Sequence, residues 1–293
     1  MKLTVIIPCL NAAKTIGVQL EALANQKWHE LWEVIVADNG SRDESVAMAR
    51  TYGGRVPGLR IIDASSRKGA PYAMNLAASV ARGESLAFCD ADDEVAPGWV
   101  AAMGNALSVN EFVASRFDFT RLNPPQVAAL MAGHPQAEMK LLKLWYPPHS
   151  LFAGSCGLGV RKNLHDAVSG VDESFFVVYD ADYCVRIQRA GAELSFIPDA
   201  LVHIRCRHDV GASFSQVRLW GEYNTLLYKR YRSKPTHGLY RWKMHAKAWL
   251  NILRALPNLV NPRERLAWCT RLGWQVGILK GSIKHLVPPI PLP

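Results

Sequence analysis

Between residues 3 and 118, short β-branched runs alternate with stretches of helical period, and no other feature of the chain narrows the fold so far. Val5-Ile6-Ile7 is followed by a 3.6-residue pattern through Ile16, Leu20 and Leu23. Val34-Ile35-Val36 precedes a helix through Val46 and Ala49 that Asp43 is placed to cap. Leu59–Ile62 precedes a helix predicted over Pro71–Val80, and Leu86–Cys89 one near Pro97–Leu107. Repeated strand-helix units of this length imply a mostly parallel sheet with right-handed crossovers, whose ligands sit outside the C-terminal strand ends. The polar residues at those ends therefore carry the functional reading.

The first such end is Pro8-Cys9-Leu10-Asn11, the second Asp38-Asn39-Gly40-Ser41-Arg42-Asp43, and the fourth Asp90-Ala91-Asp92-Asp93. Closely spaced carboxylates at a strand end can converge on a hard divalent cation, and such a cation with open positions can also hold a diphosphate. Asp90 and Asp92 are assigned to ligand and metal, since an apolar strand gives no structural reason for both. Asp93, close to the next helix start, reads as a solvated cap or first-turn charge. Asp38 ends an apolar strand, where its carboxylate can accept from a nucleobase or ribose donor; an ordinary strand-to-helix turn explains it equally well.

In their order and intervals, Pro8-x-x-Asn11, Asp38-Asn39-Gly40-Ser41-x-Asp43 and Asp90-x-Asp92-Asp93 resemble the family-two inverting glycosyltransferases of GT-A fold, over roughly residues 3 to 210. The resemblance implies a Rossmann-like, mixed but mostly parallel sheet with flanking helices and a Mg²⁺ or Mn²⁺ cofactor. It further implies that Asp38 contacts the base, Asp90 and Asp92 serve ribose and metal, and Pro8 and Asn11 belong to the nucleotide-binding set. Where the family often has an Arg before the Asn of its third helix, this chain has Met74. Arg67 or Lys68 would then supply the phosphate contact.

Further on, Tyr179-Asp180-Ala181-Asp182 with Arg186 resembles the family's Glu-Asp-x-Asp helix start, with Tyr179 in place of the Glu and Ser169 in place of one of a preceding pair of glycines. Asp180 is the candidate general base: inverting transfer needs one carboxylate to deprotonate the acceptor hydroxyl as it attacks. Asp182 is placed to pair with Arg186 at i, i+4. His203, ending an apolar strand, resembles the family's terminal His, which approaches metal or diphosphate; a satisfied core histidine is the plainer alternative. Gly154–Val160 reads as a small-residue strand, and residues 111–149 as the variable acceptor side.

Composition bears on compartment and partners. The 293 residues are 49% hydrophobic, enough for a full core, and six scattered cysteines form no CxxC pair or disulfide framework. The N-terminal apolar run is too short for a signal segment and no run reaches the roughly 18–20 residues of a spanning helix, so the chain reads as cytoplasmic. Of the net charge of +9, residues 212–293 carry +12, from fourteen Lys/Arg against Glu222 and Glu264, and the remainder carries −3. This second part reads as a basic helical extension, 211–293, beyond a catalytic domain of 1–210. It carries apolar stripes such as Trp242, Ala246, Trp249, Leu253 and Leu256 and five of nine tryptophans. Such helices fit the interface of an anionic bilayer, as on the inner face of the plasma membrane, or pack back on the sheet. No nucleic-acid motif accompanies the charge.

The expected function is single-sugar transfer from a UDP-, GDP- or dTDP-linked sugar to a hydroxyl on a cell-envelope or lipid-linked glycan. Gln216–Trp220 resembles a signature of processive synthases, but the spacing differs and the spanning helices of those enzymes are missing. Nucleotidyl transfer would want a Gly-rich basic loop near the first strand, and none is there. The non-enzymatic alternative is a sugar-nucleotide-binding or membrane scaffold without turnover, which Met74 and Tyr179 make conceivable.

Overall fold

The computed structural model describes residues 1–207, 209–232, 238–260 and 262–290. Ten strands and ten α-helices are found among them. The strands are β1 (Leu3–Cys9), β2 (Trp32–Asp38), β3 (Arg60–Asp63), β4 (Ser85–Phe88), β5 (Glu94–Val95), β6 (Phe112–Asp118), β7 (Leu142–Lys143), β8 (Leu151–Phe152), β9 (Leu158–Arg161) and β10 (Leu194–His203). The helices are α1 (Ile16–Ala24), α2 (Ser45–Arg50), α3 (Ala70–Val80), α4 (Trp99–Val109), α5 (Pro125–Leu130), α6 (Lys162–Ala167), α7 (Tyr179–Arg189), α8 (Val210–Tyr231), α9 (Gly238–Arg254) and α10 (Pro262–His285). They form two compact units, one of residues 1–142 and 151–206, the other of 143–150 and 207–293.

Eight strands of the first unit make one sheet in the order β3-β2-β1-β4-β9-β6-β10-β5. The β3-β2-β1-β4 half is wholly parallel, as the alternation of runs predicts. Antiparallel β9 joins it to the parallel pair β6 and β10, so the sheet is mixed and mostly parallel. Both faces are covered. Val5, Ile7, Val34, Val36, Ala87 and Cys89 face one apolar layer with α1 and α4, while Ile6, Ile35, Ala37, Leu86 and Phe88 face another with α3 and α7. Strands buried on both faces need continuous apolar sequence, which is why these runs do not alternate with polar residues.

Helix starts at the strand ends are set locally. Gly69 takes φ +122°, open to glycine alone without strain, and Pro71 then fixes the first turn of α3. Asp43 lies one residue outside the cap of α2, accepting from the Ser45 and Ala13 amides. The segment read as a single strand over 154–160 begins instead as a 3₁₀ turn, Ser155–Gly157, and only then enters β9.

In the second unit, α8 and α10 run parallel at close range through glycines. Side chains added at Gly273 and Gly281 would lie 2.8 Å from the Phe214 carbonyl and 2.7 Å from the Glu222 carbonyl, and one at Gly277 would meet the Arg218 carbonyl. Glu222, only 3% exposed, is gripped by Lys284 at 2.9 Å and Lys280 at 3.0 Å. Burial raises its pKa, but those ammonium groups outweigh it and hold the carboxyl below the usual range. No helix among the described residues is long and apolar enough to cross a membrane.

Candidate active site

Buried side-chain amides fix the loops at the C-terminal strand ends. Asn39, at the end of β2, donates to the Ala64 carbonyl at 2.6 Å and the Arg67 carbonyl at 2.8 Å, and accepts from the Gly69 amide at 2.8 Å. One amide thereby ties the ends of β2 and β3 to the start of α3. Gln19, fully buried in α1, donates to the Asp90 carbonyl at 3.2 Å and accepts from the Val95 amide at 2.9 Å. Asn75 of α3 bonds both the amide and the carbonyl of Val171 at 2.8 Å. Sequence motifs point to none of the three, because an amide on a turn or helix carries no sequence signal until its partners are known.

Against that frame, Asp38 accepts from the Ser41 amide at 3.2 Å, and Asn11, at φ +51°, accepts from the Arg42 amide at 2.8 Å and donates its own amide to Ser41 Oγ at 2.9 Å. Pro8 precedes it in β1, paired with Ala37. Asn is among the few residues that take this backbone conformation readily.

The carboxylates of β4 and α7 gather. Oxygens of Asp90 and Asp93 and the sulfur of Cys156 all lie within 4.8 Å of one another. Asp90 is pushed up to about 7, by burial first and then by Asp92 and Asp180; Asp180 rises to about 6 by burial, against hydrogen bonds from the Ala181 and Ser155 main chain. Both residues keep a little solvent exposure while their carboxyl groups lie among protein atoms. Cys156 is raised by burial and by the charges of Asp93, Asp90, Asp180 and Asp92, which places one thiol among four carboxylates. Val178, immediately before α7, sits at φ +64°, a conformation costly for a β-branched residue, and so fixes the angle at which Asp180 enters.

Asp93 corrects the sequence reading. It is 3% exposed rather than solvated, accepts from the Arg205 amide at 2.8 Å, and burial beside Asp90 and Asp92 raises its pKa well above the ordinary value. A turn at Asp90–Asp93 folds it back beside Asp90, and Arg205 Nε holds the Asp92 carbonyl at 2.9 Å. Asp92, expected as a metal ligand, stays exposed outside the trio of Asp90, Asp93 and Cys156. Mostly oxygen donors, crowded and raised by one another's charge, suit a divalent cation such as Mg²⁺ or Mn²⁺.

His203, also outside that trio, ends β10 in register with Asp118 and Glu94. Its Nδ1 lies 2.7 Å from Asp118 Oδ2. Burial raises Asp118, but hydrogen bonds from Thr120 and His203 outweigh it and bring its carboxyl down to about 2. Arg67 is engaged by Glu173 at 2.7 Å and lies over the Tyr72 ring at 4.3 Å, whereas Lys68 is exposed. Met74 is 2% exposed within the core, so nothing at that position reaches a phosphate. Asp182 is fully buried and pairs with Arg186 at 2.8 Å, as its spacing predicts. His134 is half-buried and packs on Phe117 and Phe119, whereas His149 is an exposed loop residue whose Nδ1 lies 3.2 Å from the Leu144 carbonyl. An open groove of about 750 Å³ lies at the other end of the sheet, lined by Lys2, Trp28, Glu84 and Arg161, and takes no part in this cluster.

Known proteins resemble part of this sequence, and solved structures resemble the fold. The model of the family described as "Glycosyl transferase family 2" matches residues 4–168. The uncharacterized glycosyltransferase YibD of Escherichia coli K12 is 42% identical over 96 residues, 33% of this chain and 27% of that protein. The chain spans about a third or less of the first curated relatives it matches, at 27%, 26% and 34% of their lengths. Among solved structures, the mannosyltransferase PcManGT of Pyrobaculum calidifontis, in complex with GDP-Man and Mn²⁺, superposes with TM-score 0.63 at 18% identity, covering 97% of this chain and 87% of that one. TarS 1–349 of S. aureus, in complex with UDP-GlcNAc, gives 0.58 at 15% identity over 98% and 93%. The mixed α/β sheet is thus that of the GT-A glycosyltransferases, and the chain belongs to glycosyl transferase family 2.

Proposed function

We propose that this chain moves one sugar, with inversion, from a nucleoside-diphosphate sugar to a hydroxyl on a cell-envelope or lipid-linked glycan. What supports the reading is that the carboxyl groups of Asp90 and Asp180, from distant parts of the chain, are both buried beside Cys156, and that the charges of Asp92 and Asp180 both bear on Asp90. A divalent cation held by Asp90 with Asp92, and with Asp93 or His203 beside them, would neutralise the charge gathering on the leaving diphosphate.

The chain's own residues supply the rest. Asp180 takes the proton of the acceptor hydroxyl, and a carboxyl raised to about 6 is a stronger base than an ordinary aspartate while still ionised at neutral pH. Asp38 accepts from the base or ribose, with Pro8 and Asn11 lining the neighbouring turn. Gln19 and Asn39 hold these loops so that donor binding requires little ordering. Lys68 remains available for phosphate, and Arg67 would have to leave Glu173 to reach it. PcManGT holds a GDP-sugar and TarS a UDP-sugar, so both bases stay in range for this chain. The +12 charge of residues 212–293 favours an anionic acceptor surface.

A thermal-shift screen of UDP-, GDP- and dTDP-sugars with Mn²⁺ tests the reading, because a ligand that binds only the native state raises Tm. One donor class should raise Tm, and its slow hydrolysis should vanish in Asp92→Ala. Donor binding with no turnover across acceptors would identify a scaffold instead.

A further inference from the structure

The second unit presents an apolar helix face that its own core does not cover. Helix α9 packs inward through His245, whose ring nitrogens lie 2.8 Å from Gln275 Oε1 and 2.8 Å from the Ile290 carbonyl, and through Ile252, whose carbonyl accepts from Trp268 Nε1 at 2.8 Å. Beside this buried side, Trp242, Ala246, Leu250 and Leu253 share an arc of about 80° at 3.6 residues per turn. Trp242 is 51% exposed, Leu250 44% and Leu253 59%, and Leu256 continues the stripe just past the helix. Adjoining the arc on its outer side are Lys243, Lys247 and Arg254, all exposed, and α9 contains no acidic residue.

We infer that this face of α9 docks on the surface of an anionic phospholipid bilayer. An aqueous helix gains nothing from showing a tryptophan and two leucines to water. An interfacial one buries that arc at the headgroup boundary and leaves its cations among the phosphates. The charge decides the occupant: three cations beside an apolar arc match an anionic lipid surface, whereas a second copy of the chain would set like charges against each other. The inference rests on α9 alone and goes beyond the transfer reaction.

Sedimentation with vesicles tests it, using the full chain and phosphatidylcholine vesicles with or without roughly a third of phosphatidylglycerol. The protein is expected to sediment with the anionic vesicles at low salt, with a blue shift of tryptophan emission, and to be released at high salt or from neutral vesicles. Lys243→Gln/Lys247→Gln should weaken binding about fivefold per charge removed, since each cation near such a surface contributes about 1 kcal/mol. Trp242→Ser/Leu250→Ser/Leu253→Ser should abolish it without lowering Tm, because these side chains lie outside the core. Wild-type protein left in the supernatant at low salt would overturn the assignment. So would loss of binding through Ile283→Ser/Leu286→Ser at the C-terminal end of α10 and just past it instead, or a solution dimer that the α9 variant dissociates. Neither donor nor metal enters the assay, so its failure would leave the proposed transfer reaction standing.

Discussion

The Gln19 side chain donates to the main-chain carbonyl of Asp90 at 3.2 Å from the middle of a helix 71 positions earlier in the chain. Its oxygen accepts from the Val95 amide at 2.9 Å, so one buried amide spans the acidic turn from both sides. Gln19→Leu keeps the volume and removes both bonds, leaving a buried donor and acceptor unpaired at about 1–3 kcal/mol each. Expected are a lower Tm and a Mn²⁺ affinity reduced by more than the global loss of stability explains. Thermal melts alongside Mn²⁺ titration followed by paramagnetic resonance would measure the two separately. An unchanged Mn²⁺ affinity would mean the turn holds its shape without Gln19.

The acidic cluster gives the metal-free protein a pH-dependent contribution to stability, opposed between about pH 4 and 6.5 by His165, whose pKa burial lowers to about 4. Asp90 is raised from 3.8 to about 7 and Asp180 to about 6, so the folded state holds protons that the unfolded chain has already released. Between these values stability falls as pH rises; it is fully retained below about pH 4 and lost through about pH 7. With EDTA present, Tm should decline from pH 5 to 7.5, and Mn²⁺ should flatten the decline by taking the place of the protons. Asp90→Asn should likewise flatten it in EDTA and should remove the Mn²⁺ effect. A Tm that climbs with pH across this window in EDTA would contradict the enclosure of these carboxyls.

Asp180 separates binding from turnover. Asp180→Asn keeps the size and the hydrogen bonds of the first turn of α7 but cannot take a proton. Transfer should drop by roughly 10²–10⁴ while the donor-induced rise in Tm persists. Equal loss of both would assign Asp180 to donor binding instead of to the acceptor's proton.

Which of these features could be read beforehand follows from how local their causes are. The β1–β4 half announces itself because strands buried on both faces must be continuous apolar runs, and Asp90 stands out as the charge that ends one. Antiparallel β9 is less plain, since its tight passage beside Phe117 and Ser115 demands Gly157 and begins as a 3₁₀ turn. The two-residue β5 is too short to leave any pattern. Asp93 misleads because adjacency to a helix start is local, whereas the Arg205 amide that draws it inward lies 112 residues away. Gln19, Asn39 and Asn75 are silent for the same reason: the backbone groups they satisfy belong to other segments.

The glycine contact between α8 and α10 gives a last expectation, this one about the second unit. Helix backbones approach this closely only where no side chain intervenes, and the run Gly273, Gly277, Gly281 repeats every four residues along the α10 face that meets Phe214, Arg218 and Glu222 of α8. A methyl group at Gly277 would press on the Arg218 carbonyl, which is backbone and cannot turn aside. The helices must then part, and the Lys280 and Lys284 grip on buried Glu222 loosens with them. Gly277→Ala removes a helix-weakening glycine, a gain of about 1 kcal/mol by propensity alone. Overpacking typically costs about 1–3 kcal/mol and should outweigh that gain. Tm measured by far-UV circular dichroism should fall for Gly277→Ala, whereas Gly→Ala at an uncrowded helical site would raise it. A rise at Gly277 would show that α8 and α10 do not depend on this close approach.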